Sequence, residues 1–267
     1  MRKIIFILLL FFTTSLFSNR TIITVTHPVE KYFIEKIADK NIYVRVVFDK
    51  KKEFSFDNKQ EVETLAYSKY YFKLNIEEEK LILEKFKAIN KNLKVIDISK
   101  NINKLTTKDN KKIPFIWLDP ILVRDIAKNI YEELVKIRYY DRHIFKENYE
   151  NFLNEIDDIY LHIKKRLDSS EVYGFFAFNH QLDYFAKRFR LNLYHRENRY
   201  LNISEVPTLI KLSKKESLKH IIIEKDSPYE IAQSISGHIN GKIIEIDIYS
   251  QQWKSNLYIL TRQITNY

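Results

Sequence analysis

The chain contains no cysteine among its 267 residues, so we expect neither a disulfide framework nor an acylated cysteine anchor. Glycine is also scarce, since Gly174, Gly237 and Gly241 are the only ones. A dinucleotide fingerprint, a phosphate-binding P-loop and a nucleophile elbow each need several closely spaced glycines. The sequence therefore excludes most nucleotide-dependent enzymes and the usual serine hydrolases.

The N-terminal segment has the character of a secretory signal. Arg2 and Lys3 precede an apolar run over residues 4–12, and small and polar residues continue to Ser18. The apolar run is shorter than the roughly 20 residues that a membrane span needs. We therefore predict a signal peptide over residues 1–18 and a soluble, exported protein in the periplasm.

The chain is basic, because 45 Lys and Arg residues and 35 Asp and Glu residues give a formal net charge of +10. Such an excess raises the question of nucleic-acid binding. The predicted export and the lack of a basic block interleaved with aromatics argue against it, so we expect no nucleic-acid partner. The cations are spread along the chain, which favours a solvated Lys-rich surface, an acidic partner or an anionic membrane surface.

Short apolar runs alternate with helical patterns along the mature chain. Strands are predicted over residues 21–26, 42–48, 70–74, 94–98, 171–178, 191–195, 220–224 and 242–246. Alternation of this kind predicts parallel sheets with helices on both faces. Residues 99–113 are rich in Lys, Asn and Thr and predict a surface loop. Residues 114–118 predict a short buried strand, which leads into a helix that begins at Asp119 and Pro120.

One predicted helix is much longer than the others. Apolar residues recur at three- and four-residue steps over residues 143–167, a length of roughly 37 Å at ~1.5 Å per residue. We therefore predict an α/β fold of two lobes, each a mainly parallel sheet flanked by helices, joined by one long rigid helix. The predicted boundaries are 19–142 for the N-terminal lobe, 143–169 for the connecting helix and 170–267 for the C-terminal lobe.

The most specific motif is Trp-Leu-Asp-Pro at residues 117–120. With Tyr184-Phe185-Ala186 and Ile246-Asp247 following in order, it resembles the zinc- and manganese-binding periplasmic receptors of ABC importers. The resemblance implies a receptor, not an enzyme, that captures a metal ion or related solute between its lobes for a membrane permease and its ATPase. Zinc or manganese would be the transported solute and not a catalytic cofactor, and we expect a monomer.

The resemblance also implies where the metal would lie. Family members hold it with three histidines and one carboxylate, and the matching positions here are Phe54, Phe115, Asn179 and Asp247. A phenylalanine ring cannot ligate zinc or manganese, which bind nitrogen, oxygen or sulfur donors. The chain therefore resembles a family member with a degenerate metal site, in which Asp247 keeps its ligand chemistry.

A rebuilt metal site is chemically reasonable, because doubly wound sheets bind ligands beyond the carboxyl ends of their strands. The polar residues at or near those ends are His27, Asp49, His180, His195, Glu224 and Asp247. We predict a site of His180, His195 and Asp247, completed by His27 or Glu224. Each residue also has an ordinary structural role open to it, such as capping a helix or shaping a turn.

Other functions stay open on the sequence. Phe54, Phe56 and Phe115 would form an apolar wall suited to an organic or chelated solute, or would pack the cleft shut. A non-transport interaction protein could use the same fold. An exported metal-dependent hydrolase is the enzymatic alternative. Against it, the sequence contains no His-Glu-x-x-His pair and no recognisable nucleophile.

Overall fold

Each half of the chain folds around a four-stranded parallel sheet. The computed structural model describes residues 20–49, 54–196, 198–225 and 227–266. The first sheet contains β1 (Thr21–Val25), β2 (Ile42–Val46), β3 (Tyr70–Lys73) and β4 (Lys94–Asp97). The second sheet contains β5 (Gly174–Ala177), β6 (Asn192–His195), β7 (His220–Glu224) and β8 (Lys242–Ile246). Their spatial orders are β2-β1-β3-β4 and β6-β5-β7-β8, and all neighbours are parallel, which confirms the predicted α/β fold.

Helices flank and connect the two sheets. They are α1 (Pro28–Ile37), α2 (Lys59–Ala66), α3 (Glu78–Ile89), α4 (Pro120–Ile137), α5 (Arg142–Asp168), α6 (Asp183–Phe189), α7 (Val206–Glu216), α8 (Tyr229–Ile239) and α9 (Trp253–Thr265). The predicted long helix is α5, and its buried residues recur at helical spacing from Phe145 to Leu167. Within the described ranges, no helix has both the length and the apolar character needed to cross a membrane.

Both sheets place a topological switch point between their two central strands. The chain leaves the first strand of each sheet toward one side and returns on the other side. The carboxyl ends of β1 and β3 therefore flank one crevice, and those of β5 and β7 flank another. Ligands of doubly wound sheets bind in such crevices, so the residues that follow these strands are candidates for a binding site.

The strand predicted for residues 114–118 is wrong, because this segment forms a 3-10 turn over Ile116–Leu118. The amide of Leu118 donates to the carbonyl of Phe115 at 3.1 Å, so this amide finds its partner within the turn. Residues 116–118 are buried all the same. A short apolar run is buried in either conformation, and its periodicity cannot distinguish them.

Trp117 connects this turn to the second lobe through hydrogen bonds and packing. Its side chain is fully buried, and its indole Nε1 donates to the carbonyl of Ile248 at 2.8 Å. The indole Nε1 of Trp253 donates in turn to the carbonyl of Trp117, also at 2.8 Å. Buried indoles need such partners. Both tryptophans belong to a hydrophobic core that residues of the two lobes share.

Asp119 caps α4, as predicted, and also contacts the second lobe. Its Oδ1 accepts from the amide of Ile121 at 2.9 Å and from Nε of Arg188 at 2.7 Å. Asp119→Ala removes both bonds, so we expect the free energy of unfolding to fall by about 1–2 kcal/mol, as for other lost N-caps. Asp119→Asn keeps an acceptor for the amide and should lose less. Urea denaturation compares the two variants, and equal losses would show that the cap bond is not the main contribution.

Candidate functional site

Aromatic side chains occupy two of the positions where the resemblance places metal ligands. Phe54 is half-buried and packs edge-on against Phe48 and Phe56, at centroid distances of 5.6 and 4.9 Å. Phe115 is also half-buried and meets the ring of Trp117 at 5.5 Å. None of these side chains offers a donor to a metal ion. The N-terminal lobe therefore supplies packing, and no ligand, at Phe54 and Phe115.

His27 lies between the two lobes. Its ring stacks on Tyr249, with centroids 3.7 Å apart and planes 15° from parallel, and Phe48 lies 5.3 Å away. The ring is 8% exposed, and its Nε2 has no hydrogen-bond partner. Burial lowers the pKa of His27 to about 3, so the ring is neutral at physiological pH. The amide of Val29 donates to the carbonyl of Tyr249 at 3.1 Å and completes this contact.

A second set of donors meets at the strand ends of the C-terminal lobe. His180 Nδ1 lies 2.9 Å from Asp183 Oδ2, and His195 Nε2 lies 3.1 Å from Asp183 Oδ1. The two imidazole centroids are 4.1 Å apart. One donor atom from each residue lies within 4.8 Å of the others. Across the described residues, this is the one group of three or more such side chains close enough to share a metal ion.

The backbone explains why these three residues meet. His180 lies in the connection from β5 to α6, Asp183 is the first residue of α6, and His195 is the last residue of β6. Strand β6 pairs with β5 in a register that sets His195 beside Ala177. The end of β6 is therefore adjacent to the segment that carries His180 and Asp183. We call these three residues the His-Asp-His group.

The group is partly exposed, which leaves it open to an ion from solution. The side chains of His180, Asp183 and His195 are 41%, 17% and 35% exposed. Burial lowers the pKa of His195, the neighbouring His180 lowers it further, and Asp183 opposes both effects. Oδ1 of Asp183 is buried, and the Nε2 of His195 at 3.1 Å is the polar atom that approaches it. A neutral imidazole is the form that ligates a metal.

The other predicted ligands lie outside this group. Asp247 Oδ1 accepts from the amide of Tyr249 at 3.3 Å and so shapes the turn before α9. Glu224 accepts a hydrogen bond from the side-chain amide of Gln181. Asn179 is exposed, and its Oδ1 accepts from the backbone of Gln181 at 3.0 Å. With His27 at the lobe junction, the structure brings together His180 and His195 from the predicted set.

Asp183 is the member that the sequence interpretation omitted. Its position three residues after His180 was a usable signal, because residues three apart lie on one face of a helical turn. An acidic residue at a helix start also has an ordinary explanation, since it complements the helix dipole. Only the pairing of β5 with β6 shows that the carboxylate faces a second histidine.

Two parallel α/β lobes joined by a long helix, with donors beyond the strand ends, define the class of two-lobe solute receptors. Residues 23–262 match the model of the family ZnuA, described as zinc-uptake complex component A periplasmic. The chain belongs to this family. Its members are non-catalytic receptors, which agrees with the expectation that the chain is not an enzyme. No functionally curated protein matches the chain by sequence.

Solved structures share the fold over most of the chain. The crystal structure of ZnuA is 26% identical with a TM-score of 0.82, and the match covers 92% of this chain and 98% of that one. The Zn(II)-bound ZnuA-like domain of Streptococcus pneumoniae AdcA is 16% identical with a TM-score of 0.71, covering 92% and 98%. A Cd-bound periplasmic metal binding protein from Candidatus Liberibacter asiaticus is 13% identical with a TM-score of 0.76, covering 92% and 100%. The last two likenesses show the fold alone.

Proposed function

We propose that this chain is an extracytoplasmic receptor that binds a divalent metal ion and delivers it to an ABC permease with its ATPase. The family match over residues 23–262 is the observation that carries this proposal. The predicted signal peptide over residues 1–18 lies outside the described residues and supports export, and we propose that the exported protein is a soluble monomer. We assign residues 19–142 and 170–267 to the two lobes and 143–169 to the helix between them.

We propose that the metal binds at the His-Asp-His group. Two imidazole nitrogens and one carboxylate oxygen are a common donor set for zinc, whereas manganese prefers a larger share of oxygen. Three protein donors leave a fourth tetrahedral position for water or for a group on the solute. In the structure, the carboxylate of Asp183 contacts both imidazoles. A cation would therefore take over contacts that the carboxylate makes with the two rings.

Acid should weaken this binding, because protons compete with the metal for imidazole nitrogen. Burial lowers the pKa of His195, so this ring stays neutral to a lower pH than an ordinary histidine does. We therefore expect zinc affinity to persist from pH 7.5 into mildly acidic buffer and to fall once His195 is protonated. Isothermal titration at several pH values measures this dependence. An affinity that does not change down to pH 4 would contradict imidazole ligation.

Calorimetric titration of the metal-stripped mature protein with zinc and with manganese tests the function directly. We expect sub-micromolar binding of zinc and weaker binding of manganese. If neither metal binds in that range, the metal-receptor function fails for this chain.

A second candidate is a receptor for a chelated or organic solute, and a cavity beside the His-Asp-His group favours it. The cavity measures about 100 Å³ and lies beyond the ends of β5 and β7. Asn179, Gln181 and Glu224 line it with polar groups, and Ile222 and Ile246 give it an apolar wall. Such a lining is typical of small-molecule sites, but these usually measure about 300–1,000 Å³, so this cavity suits a small co-ligand of a bound metal. Zinc titrated with and without citrate separates the two functions, because a co-ligand raises the apparent affinity and a mere competitor lowers it.

A further inference from the structure

Two buried carboxyl groups fill the switch-point crevice of the N-terminal lobe. Glu30 comes from α1 and is 0% exposed, and Glu79 comes from α3 and is 2% exposed. They lie beyond the ends of β1 and β3, at the place equivalent to the crevice between β5 and β7. The proposed metal site uses neither residue. Buried carboxylates are rare unless a cation or several hydrogen-bond donors compensate them.

The hydrogen bonds of the two carboxyls converge on Thr26. Glu30 Oε2 accepts from the amides of Thr26 and His27, at 3.0 and 2.7 Å. Glu79 Oε1 accepts from the hydroxyl of Thr26 at 3.2 Å and from the amide of Leu74 at 2.9 Å. Glu79 Oε2 accepts from the amide of Ile76 at 3.1 Å. The remaining oxygen, Glu30 Oε1, is buried and has no partner.

The surroundings of the pair are more acidic than basic. The titratable groups that act on the two carboxyls or are acted on by them are Glu78, Tyr71, Tyr249 and Lys104. Lys104 is the cation among them, and its Nζ donates to the carbonyl of Leu74 at 2.8 Å. Burial, and then the charge of Glu79, hold the pKa of Glu30 well above its usual range. Burial also raises the pKa of Glu79 to about 7.

We propose that Glu30 and Glu79 hold a shared proton, and that this proton maintains the contact between the two lobes. A proton on Glu30 removes one negative charge from a buried pair in which Glu30 Oε1 has no hydrogen-bond partner. Glu30 Oε2 fixes the amides of Thr26 and His27, and the ring of His27 stacks on Tyr249 of the second lobe. When the proton leaves to solvent, two negative charges repel each other in a dry site. The segment that positions His27 then loosens.

The direction of the pH effect follows from the raised pKa values of the pair. The folded protein keeps a proton that an unfolded carboxyl, with its ordinary pKa of 4.5, has already released. The free energy of unfolding therefore falls as the pH rises above 4.5, and it continues to fall until the pH has passed the raised pKa values of Glu30 and Glu79 in the folded protein. Burial lowers the pKa of both His27 and His220, so these two rings act on stability below pH 6.5 and not in the alkaline range. Measurements between pH 7 and 9.5 therefore exclude the two histidines, and a variant of Glu30 separates the carboxyl pair from Lys104 and the buried tyrosines.

Glu30→Gln is the sharpest test, because the amide cannot lose a proton and keeps an oxygen for Thr26 and His27. Glu63→Gln, an exposed position on α2, is the matched control. We expect the melting temperature of the wild type to fall by several degrees between pH 7 and 9.5, and that of Glu30→Gln to fall by less than half as much. The Glu63→Gln protein should follow the wild type. A Glu30→Gln curve parallel to the wild type would overturn the shared proton.

Intrinsic fluorescence tests the coupling to the lobe junction, because both tryptophans, Trp117 and Trp253, are buried there. We expect an alkaline shift of the emission in the wild type and none in Glu30→Gln. If the melting temperature responds to pH and the emission does not, the coupling to the junction is wrong.

Infrared spectroscopy is the alternative test if Glu30→Gln fails to fold. We expect the carbonyl band of a protonated carboxyl in the wild type at pH 7, and its absence overturns the proposal. Neither result depends on metal binding, so the proposed receptor function stands or fails separately.

Discussion

Replacing His195 by alanine should weaken zinc binding by at least about tenfold, because even the outer contacts of metal ligands contribute 10–100-fold to affinity. Asp183→Ala should have a similar or larger effect, since its carboxylate contacts both imidazoles and supplies the only negative charge of the group. Calorimetric titration of the two variants beside the wild type measures the loss. Circular dichroism should show unchanged secondary structure, because all three side chains are partly exposed.

Two control variants make this prediction specific. His143→Ala removes an exposed histidine near the start of α5 and should bind zinc as the wild type does. Asp247→Asn keeps the oxygen that accepts from the amide of Tyr249 and removes the charge at the position matching the family carboxylate. If Asp247→Asn loses affinity while His195→Ala retains it, the metal occupies the position that the resemblance implies, and the His-Asp-His group is structural.

Replacing Trp117 by alanine should lower the free energy of unfolding by about 3–5 kcal/mol, the usual loss for a large aromatic side chain in a core. The side chain is fully buried, and its indole holds the carbonyl of Ile248 in the other lobe. Urea denaturation measures the loss. Trp117→Phe keeps most of the packing and leaves that carbonyl without its donor, so we expect about 1–3 kcal/mol.

The control for Trp117 is Ile203→Ala, because Ile203 is 90% exposed. Its substitution should change the free energy of unfolding by no more than about 0.5 kcal/mol. The order Trp117→Ala, then Trp117→Phe, then Ile203→Ala is the expected result. A Trp117→Phe loss as large as that of Trp117→Ala would mean that the hydrogen bond, and not the packing, holds the junction.

Elements with strong local patterns were predictable from the sequence. Strands β7 and β8 have the predicted bounds, His220–Glu224 and Lys242–Ile246, and α5 covers the predicted apolar repeat. The hydrophobic pattern of each element lies within its own residues, and the polar residues on either side indicate where it ends. Residues 114–118 lacked such a pattern, because the run is too short to distinguish a strand from a turn. In this segment, hydrogen bonds connect Trp117 in the turn to residues more than a hundred positions away in the chain.

The candidate site was predictable in part for the same reason. His180 and His195 were recognisable as donors at strand ends, since a strand end is a local feature. Asp183 was not recognised, because its partner across the site is set by the register of β5 with β6. Asp247 also follows a strand, yet in the structure it shapes the turn at Tyr249 and lies outside the group.

The sequence by itself determined the class of fold and the family resemblance, and it predicted the loss of ligand chemistry at Phe54 and Phe115. These follow from residue identity and from short-range periodicity, which need no knowledge of distant contacts. Only the tertiary structure decided which donors meet, that His27 stacks between the lobes, and that Glu30 and Glu79 share one crevice. Each of these depends on strand order and register, which bring together side chains far apart in the chain.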